Sequence, residues 1–269
     1  MTKMTLTPFF SAAMQAIRYV VRQRAHVIRT TLAVAVFGLL PACAATTPSD
    51  RPDDAYVKEA WAYFKKKCDT EAGEKIYKTF TGVKSVLVVK PLPPATEKDL
   101  YDQFWYGDPY SDATPWDKRG EHAAMTLTMD SRRPTGRQRG LDFVEIKNDS
   151  GPGYTKINRP VANDKLAVKE HIDRPISRFG VAWEDISTPQ DRKYWVAGSR
   201  LRVIDLSSSS VVAERIGYLI EAGFGSTKGQ RRPWLTSRGI GPNGHSCPRA
   251  GDYTDNWFIA DVFGLERTE

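Results

Sequence analysis

Apolar residues recur at three- and four-residue spacing over residues 53–68, where Val57, Ala60, Trp61, Phe64 and Cys68 fall on one side of a helix. Asp53 or Asp54 is placed to cap it, and Lys65, Lys66 and Lys67 sit in a last turn that suits cations. The Val-rich run at 83–89 reads as a strand and is stopped by Pro91, Pro93 and Pro94. Thr96 then caps a short helix. The next stretch is aromatic and broken by Gly and Pro: Tyr101, Phe104, Trp105, Tyr106, Tyr110 and Trp116. Residues 130–140 form a basic loop.

The second half alternates. Strands are predicted at 141–147, 166–172 and 179–186, and a hairpin at 194–206 and 211–220, divided by four serines. In that hairpin Leu201, Val203 and Asp205 face one way, and Arg202, Ile204 and Leu206 the other. A Gly-rich passage at 223–251 follows, and a short helix starting at Thr254 or Asp255 ends the pattern. The elements predict a single α+β domain over residues 53–269, built on an antiparallel sheet with an N-terminal helix and a short C-terminal helix.

Residues 1–52 do not share this patterning. The first acidic residue is Asp50, whereas Lys3, Arg18, Arg22, Arg24 and Arg29 precede an apolar run at 32–42. Basic flank, short apolar core and small residues describe an export signal, too short to span a bilayer. The run ends in Leu40-Pro41-Ala42-Cys43, which resembles the lipobox of bacterial lipoproteins. That resemblance implies cleavage before Cys43, a diacylglyceryl group on its sulfur, and a membrane anchor. Ala44 after the cysteine implies outer-membrane retention facing the periplasm. Ala42-Cys43-Ala44 also satisfies a general signal-peptidase site, which would release a soluble periplasmic protein, and an acid-free Arg-rich leader also fits a mitochondrial transit peptide. Residues 44–52 read as a tether.

Removing the leader changes the charge argument. The chain carries 39 basic and 32 acidic residues. Five of the basic ones lie before Cys43, so the remainder is close to neutral, and nucleic acid is not an expected partner. It also leaves two cysteines, Cys68 and Cys247. In an oxidising compartment they are expected to form one disulfide, with two independent buried thiols as the alternative.

No motif names a reaction. Gly239-Ile240-Gly241-Pro242-Asn243-Gly244 fits the dinucleotide spacing but opens no helix, and the glycines at 223–229 lack phosphate-loop order. Glu184 and Asp185 are adjacent on a predicted strand and so face apart. His122 and His171 have no partner in the sequence. No cofactor or metal is expected. The candidate binding surface is Tyr101, Trp105, Tyr106, Tyr110 and Trp116, followed by Arg132, Arg133 and Arg137, since aromatic and Arg side chains dominate interfaces. The competing expectation is that the aromatics fill the core. The function expected is a non-catalytic envelope module that binds a protein partner or cell-wall polymer. An envelope hydrolase acting on glycan or lipid is the alternative.

Overall fold

A computed structural model describes residues 52–111, 113–133, 136–160, 167–236, 244–248 and 254–268, with backbone only at 132–133, 236, 244, 254 and 267–268. The strands are β1 (Gly73–Ile76), β2 (Ser85–Lys90), β3 (Ser131–Arg133), β4 (Gly136–Gln138), β5 (Phe143–Lys147) and β6 (Tyr154–Asn158). They continue with β7 (Lys169–Ile172), β8 (Phe179–Asp185), β9 (Val196–Asp205), β10 (Ser210–Glu221), β11 (Gly244–Cys247) and β12 (Arg267–Thr268). The helices are α1 (Asp54–Thr70), α2 (Arg119–Thr126), α3 (Pro189–Lys193), α4 (Pro233–Thr236) and α5 (Thr254–Phe263). One sheet runs β1-β10-β9-β8-β2-β5-β6-β7, with β11 also on β10. A small sheet, β12-β4-β3, replaces part of the expected basic loop.

The domain is α+β as expected, but its main sheet is mixed rather than purely antiparallel. Strand β2 lies between β5 and β8 and is parallel to both. The prolines after β2 give the reason. They stop the strand without a tight turn, so the chain leaves the sheet, covers one face, and re-enters in the same direction. The remaining pairings of the main sheet are antiparallel, and the hairpin of β9 and β10 is its longest ladder.

The register separates two faces. Val181, Val203 and Ala213 are cross-strand neighbours and pack with Val86, Val144 and Leu201 under Phe258, Ile259, Val262 and Phe263 of α5. On the opposite face, Arg202 lies between Ala182 and Glu214. There Glu184 pairs with Arg202 and with Arg200, and Arg200 reaches Glu214, so this part of the sheet is a half-solvated ladder of charges. Among the described residues, a helix covers one end of that face. Helix α1 buries Ala60 and Phe64 against Tyr194, Val196, Tyr218 and Ile220. Asp53 caps α1 by accepting from Tyr56 N at 2.7 Å. Of the three consecutive lysines toward its C-terminal end, Lys67 turns inward over the Tyr218 ring and toward Asp191, 3.5 Å away.

Cys68 at the end of α1 and Cys247 at the end of β11 form a disulfide, with Cα atoms 5.6 Å apart and a sequence separation of 179. The bridge fastens the first helix to the strand that extends β10. Closing a loop of this length restricts the unfolded chain by about 5 kcal/mol in the loop-entropy treatment. Replacing both cysteines by serine is expected to lower the unfolding free energy by about 2–5 kcal/mol. Urea unfolding of oxidised wild type beside the double variant measures this, and coincident midpoints would contradict it.

Candidate functional site

Ala95 and Trp116 form an antiparallel bridge that closes the aromatic stretch into a loop. A 3₁₀ turn, Lys98–Tyr101, opens it. Here Thr96 donates rather than caps: its N–H and hydroxyl both reach Asp99 Oδ2, at 2.7 and 2.8 Å. The loop divides its aromatic residues between two roles. Trp105 and Tyr110 are buried with Leu100, Ala113, Trp195, Ala197, Leu219 and Trp234. Their rings therefore serve the core and leave the expected binding surface. Tyr106 is 87% exposed, Phe104 59%, Tyr101 43% and Trp116 40%.

Three buried arginines hold the loop down, each stacked on an aromatic ring. Arg119 lies 5.2 Å from the Trp105 ring and donates to Pro93 O at 3.2 Å and to Asp108 O. Arg192 lies 5.0 Å from the Trp234 ring and donates at 2.8 Å to both Gly107 O and Asp185 Oδ2. Arg215 lies 5.4 Å from the Tyr110 ring and donates to its hydroxyl at 2.9 Å. Arg215 also reaches Glu74 on β1 and Asp255 on α5. Stacking desolvates one face of each guanidinium while its edge keeps hydrogen-bond partners, which makes such burial tolerable. Further bonds come from Trp234 Nε1 to Asp102 O at 2.7 Å and from Gln103 to the carbonyls of Arg192 and Lys193.

Tyr110 depends on a glycine for its seat. A Cβ at Gly217 on β10 would come within 2.3 Å of the Tyr110 ring. Burial pushes the Tyr110 phenol up to about 12, so it stays protonated and donates to Pro248 O at 3.2 Å.

Beside it lies a compact acid–hydroxyl cluster. Asp108 is buried, accepts from Ser111 N at 3.1 Å and Ser111 Oγ at 3.0 Å, and also accepts from Ser199 Oγ. Desolvation raises the Asp108 carboxyl to about 6, opposed by the Ser199 hydrogen bond and the Arg119 charge. Acid and hydroxyl are the parts of a proton-transfer pair. Both Asp108 and Ser199 are nonetheless enclosed, and Ser199 directs its proton into the carboxylate. The cluster stitches the loop to β9.

The other candidates lie elsewhere. Arg137, on β4, is exposed and pairs with Asp130. Arg132 and Arg133 belong to β3, and their side chains lie outside the described residues, as does Cys43. His171 sits on strand β7 near Asp173, and the His122 ring packs on Trp116 at 4.9 Å. Residues 239–243 of the glycine spacing lie outside the described residues. The amides of Gly223 and Gly225 are already taken by the Glu221 carboxylate, at 2.9 and 2.6 Å, so an acid of this chain fills the place of a phosphate. Nothing local in the sequence marks the buried arginines, because isolated charges read as surface positions.

No known family, curated protein or solved structure matches the chain.

Asp108 has a pH signature. Its carboxyl titrates at about 6 when folded against 3.8 unfolded. Below that window both states are protonated and the group costs nothing. Through it the unfolded chain releases its proton first, so stability falls with rising pH by an amount on the order of 3 kcal/mol. Asp108→Asn removes this loss. Relative to wild type, the variant is expected to gain about 2–3 kcal/mol between about pH 4 and pH 7. Urea melts at both pH values read the difference, and a constant offset would exclude the assignment.

Proposed function

We propose that this chain is a cell-envelope lipoprotein that acts as a non-catalytic binding module, with the loop closed by Ala95 and Trp116 as its contact surface. The partner is an envelope protein or a cell-wall polymer. One observation carries the reading: Tyr101, Phe104 and Tyr106 are presented to solvent by a loop whose base is fixed by three buried arginines. Exposed aromatic residues on a rigid base give contact area without the ordering cost of a mobile loop. The lipobox-like Leu40-Pro41-Ala42-Cys43 supports the anchor, and residues 44–52 give the domain reach from the membrane.

The rival, an envelope hydrolase, is favoured by Asp108 beside Ser111 and Ser199. Enclosure of Asp108 and Ser199 argues against it, because a reacting group needs an approach for its substrate.

The two parts of the proposal are tested separately. Intact mass of protein from the membrane fraction is expected to show a diacylglyceryl group on Cys43. A soluble product beginning at Ala45 would sink the anchor. For the surface, wild type and a Phe104→Ala, Tyr106→Ala double variant are compared for retention of envelope proteins and of isolated cell wall. The double variant is expected to lose at least about tenfold in retention, a loss of about 1.4 kcal/mol. Its thermal midpoint should hold, since both side chains are largely solvated. Equal retention by the two proteins would overturn the reading.

A further inference from the structure

Two short strands share one edge of β10. Strand β1 pairs with residues 213–216 and β11 with residues 218–221, both antiparallel, so they lie end to end with Gly217 opposite the break. Tyr110 sits at that break: its ring lies against Gly217, and its hydroxyl donates to Pro248 O just beyond β11. Cys247 is the last residue of β11, and Cys68 lies near the end of α1, shortly before β1 begins. The disulfide therefore falls at the same break in the edge.

The two strands are held by different means. Strand β1 follows directly from α1 and carries Glu74, which accepts from the buried Arg215 Nε at 3.2 Å. Strand β11 is Gly-His-Ser-Cys, four residues without a β-branched or large apolar side chain. Ordering the backbone of so short a strand costs more than the net return of the few ladder hydrogen bonds it makes. Its side chains lean on α1. The His245 ring meets Trp61 edge-on at 4.6 Å, and Cys247 packs against the cluster around Phe64 and Tyr218.

The bridge supplies what these contacts lack. With its Cα 5.6 Å from that of Cys68, Cys247 stays beside α1 whether or not the ladder is formed, so β11 meets its edge at a high effective concentration. Cys68 and Cys247 are half-buried rather than enclosed, which leaves the bridge open to attack by a thiol from solvent. A strand that depends on one covalent bond, and a bond within reach of a reductant, together make a device with two states.

We propose that the Cys68–Cys247 bridge is a redox latch on the sheet edge: closed, it keeps β11 on β10, and reduced by a dithiol, it releases β11 and opens β10 at residues 218–221. A thiolate of the dithiol attacks one bridge sulfur, the S–S bond breaks, and a mixed disulfide forms. The second thiol of the donor then displaces the remaining cysteine. The donor ends as a disulfide, and Cys68 and Cys247 end as thiols that have gained two electrons and two protons. The opened stretch of β10 presents unpaired N–H and C=O groups, a template for an added strand. The aromatic loop stays in place, because Tyr110 keeps its bond to Arg215 when Pro248 leaves. The latch therefore acts on the sheet edge, independently of the surface assigned to Phe104 and Tyr106.

Hydrogen exchange read by mass spectrometry tests this on the full chain. Oxidised protein is compared with protein held in excess dithiothreitol, and complete reduction is checked by a mass gain of two hydrogen atoms. Peptides covering β11 and residues 218–221 are expected to lose at least about tenfold in protection. Peptides covering β8 and the loop at 101–110 are expected to keep theirs. A Cys68→Ser, Cys247→Ser variant is expected to show the released pattern without dithiol and no response to it. Should that variant fail to fold, reduced wild type carries the test alone. Unchanged protection at β11 after complete reduction overturns the latch. So does a loss spread equally over β8 and the loop, which would mark the bridge as a staple of the whole domain. A bridge that excess dithiothreitol leaves intact in the folded protein overturns it as well.

Discussion

Among the described residues three guanidinium groups, Arg119, Arg192 and Arg215, are buried, and the geometry of the aromatic loop depends on how they are satisfied. A charge taken out of water is tolerable only when its donors find acceptors and its faces find a polarisable surface. Each of these arginines uses backbone carbonyls or a tyrosine hydroxyl of the loop as partner and an indole or phenol ring as its cover. The loop is therefore not an appendage resting on the sheet. Lifting it would strand charges in an apolar interior, so loop and sheet are bound to unfold together. This is why the exposed aromatics project from a fixed base.

The same constraint makes neighbouring residues opposites. Trp105 is enclosed because Arg119 stacks on it, and Tyr106, one position on, stands in water. Glu184 and Asp185 part in the same way: Glu184 joins the charge ladder on the open sheet face, and Asp185 turns inward to Arg192. Alternation along β8 accounts for the second pair, whereas Trp105 and Tyr106 part at a turn in which Trp105 N–H donates to Asp102 O.

What could be read from the chain alone follows from range. The β9–β10 hairpin was legible because its pattern holds over ten and twelve residues and its turn is local, so Leu201 and Val203 could be placed on one face, which the structure buries. The first helix was legible for the same reason, and the disulfide followed from counting cysteines once Cys43 was set aside. Parallel pairing of β2 was not, since a Val-rich run looks the same whichever neighbours it takes. Helix α2, Arg-Gly-Glu-His-Ala-Ala-Met-Thr, carries no apolar stripe and no side-chain cap, and so left no signal. The candidate surface was half legible. Aromatic residues marked the segment as distinctive, but which rings turn inward is decided by Arg119 and Arg215, whose burial nothing local announces. The basic stretch supplies β3 and β4, which pair with each other and, through β4, with the C-terminal strand β12.

The position of β2 has a consequence for how the molecule is made. Residues 85–90 occupy the middle of the sheet, yet both of their partners come later in the chain, one beginning at Phe143 and the other at Phe179. Until about half of the polypeptide is present the central strand has two unpaired edges, and the second waits for Phe179, about two-thirds of the way along. Contacts this distant in sequence form slowly, after local elements such as α1 and the β9–β10 hairpin. A chain of this topology stays open while it is being synthesised and closes only once most of it is in one place. For that interval a Val-rich strand lies without a sheet partner, and an unpaired edge of that kind is a template for pairing with another chain.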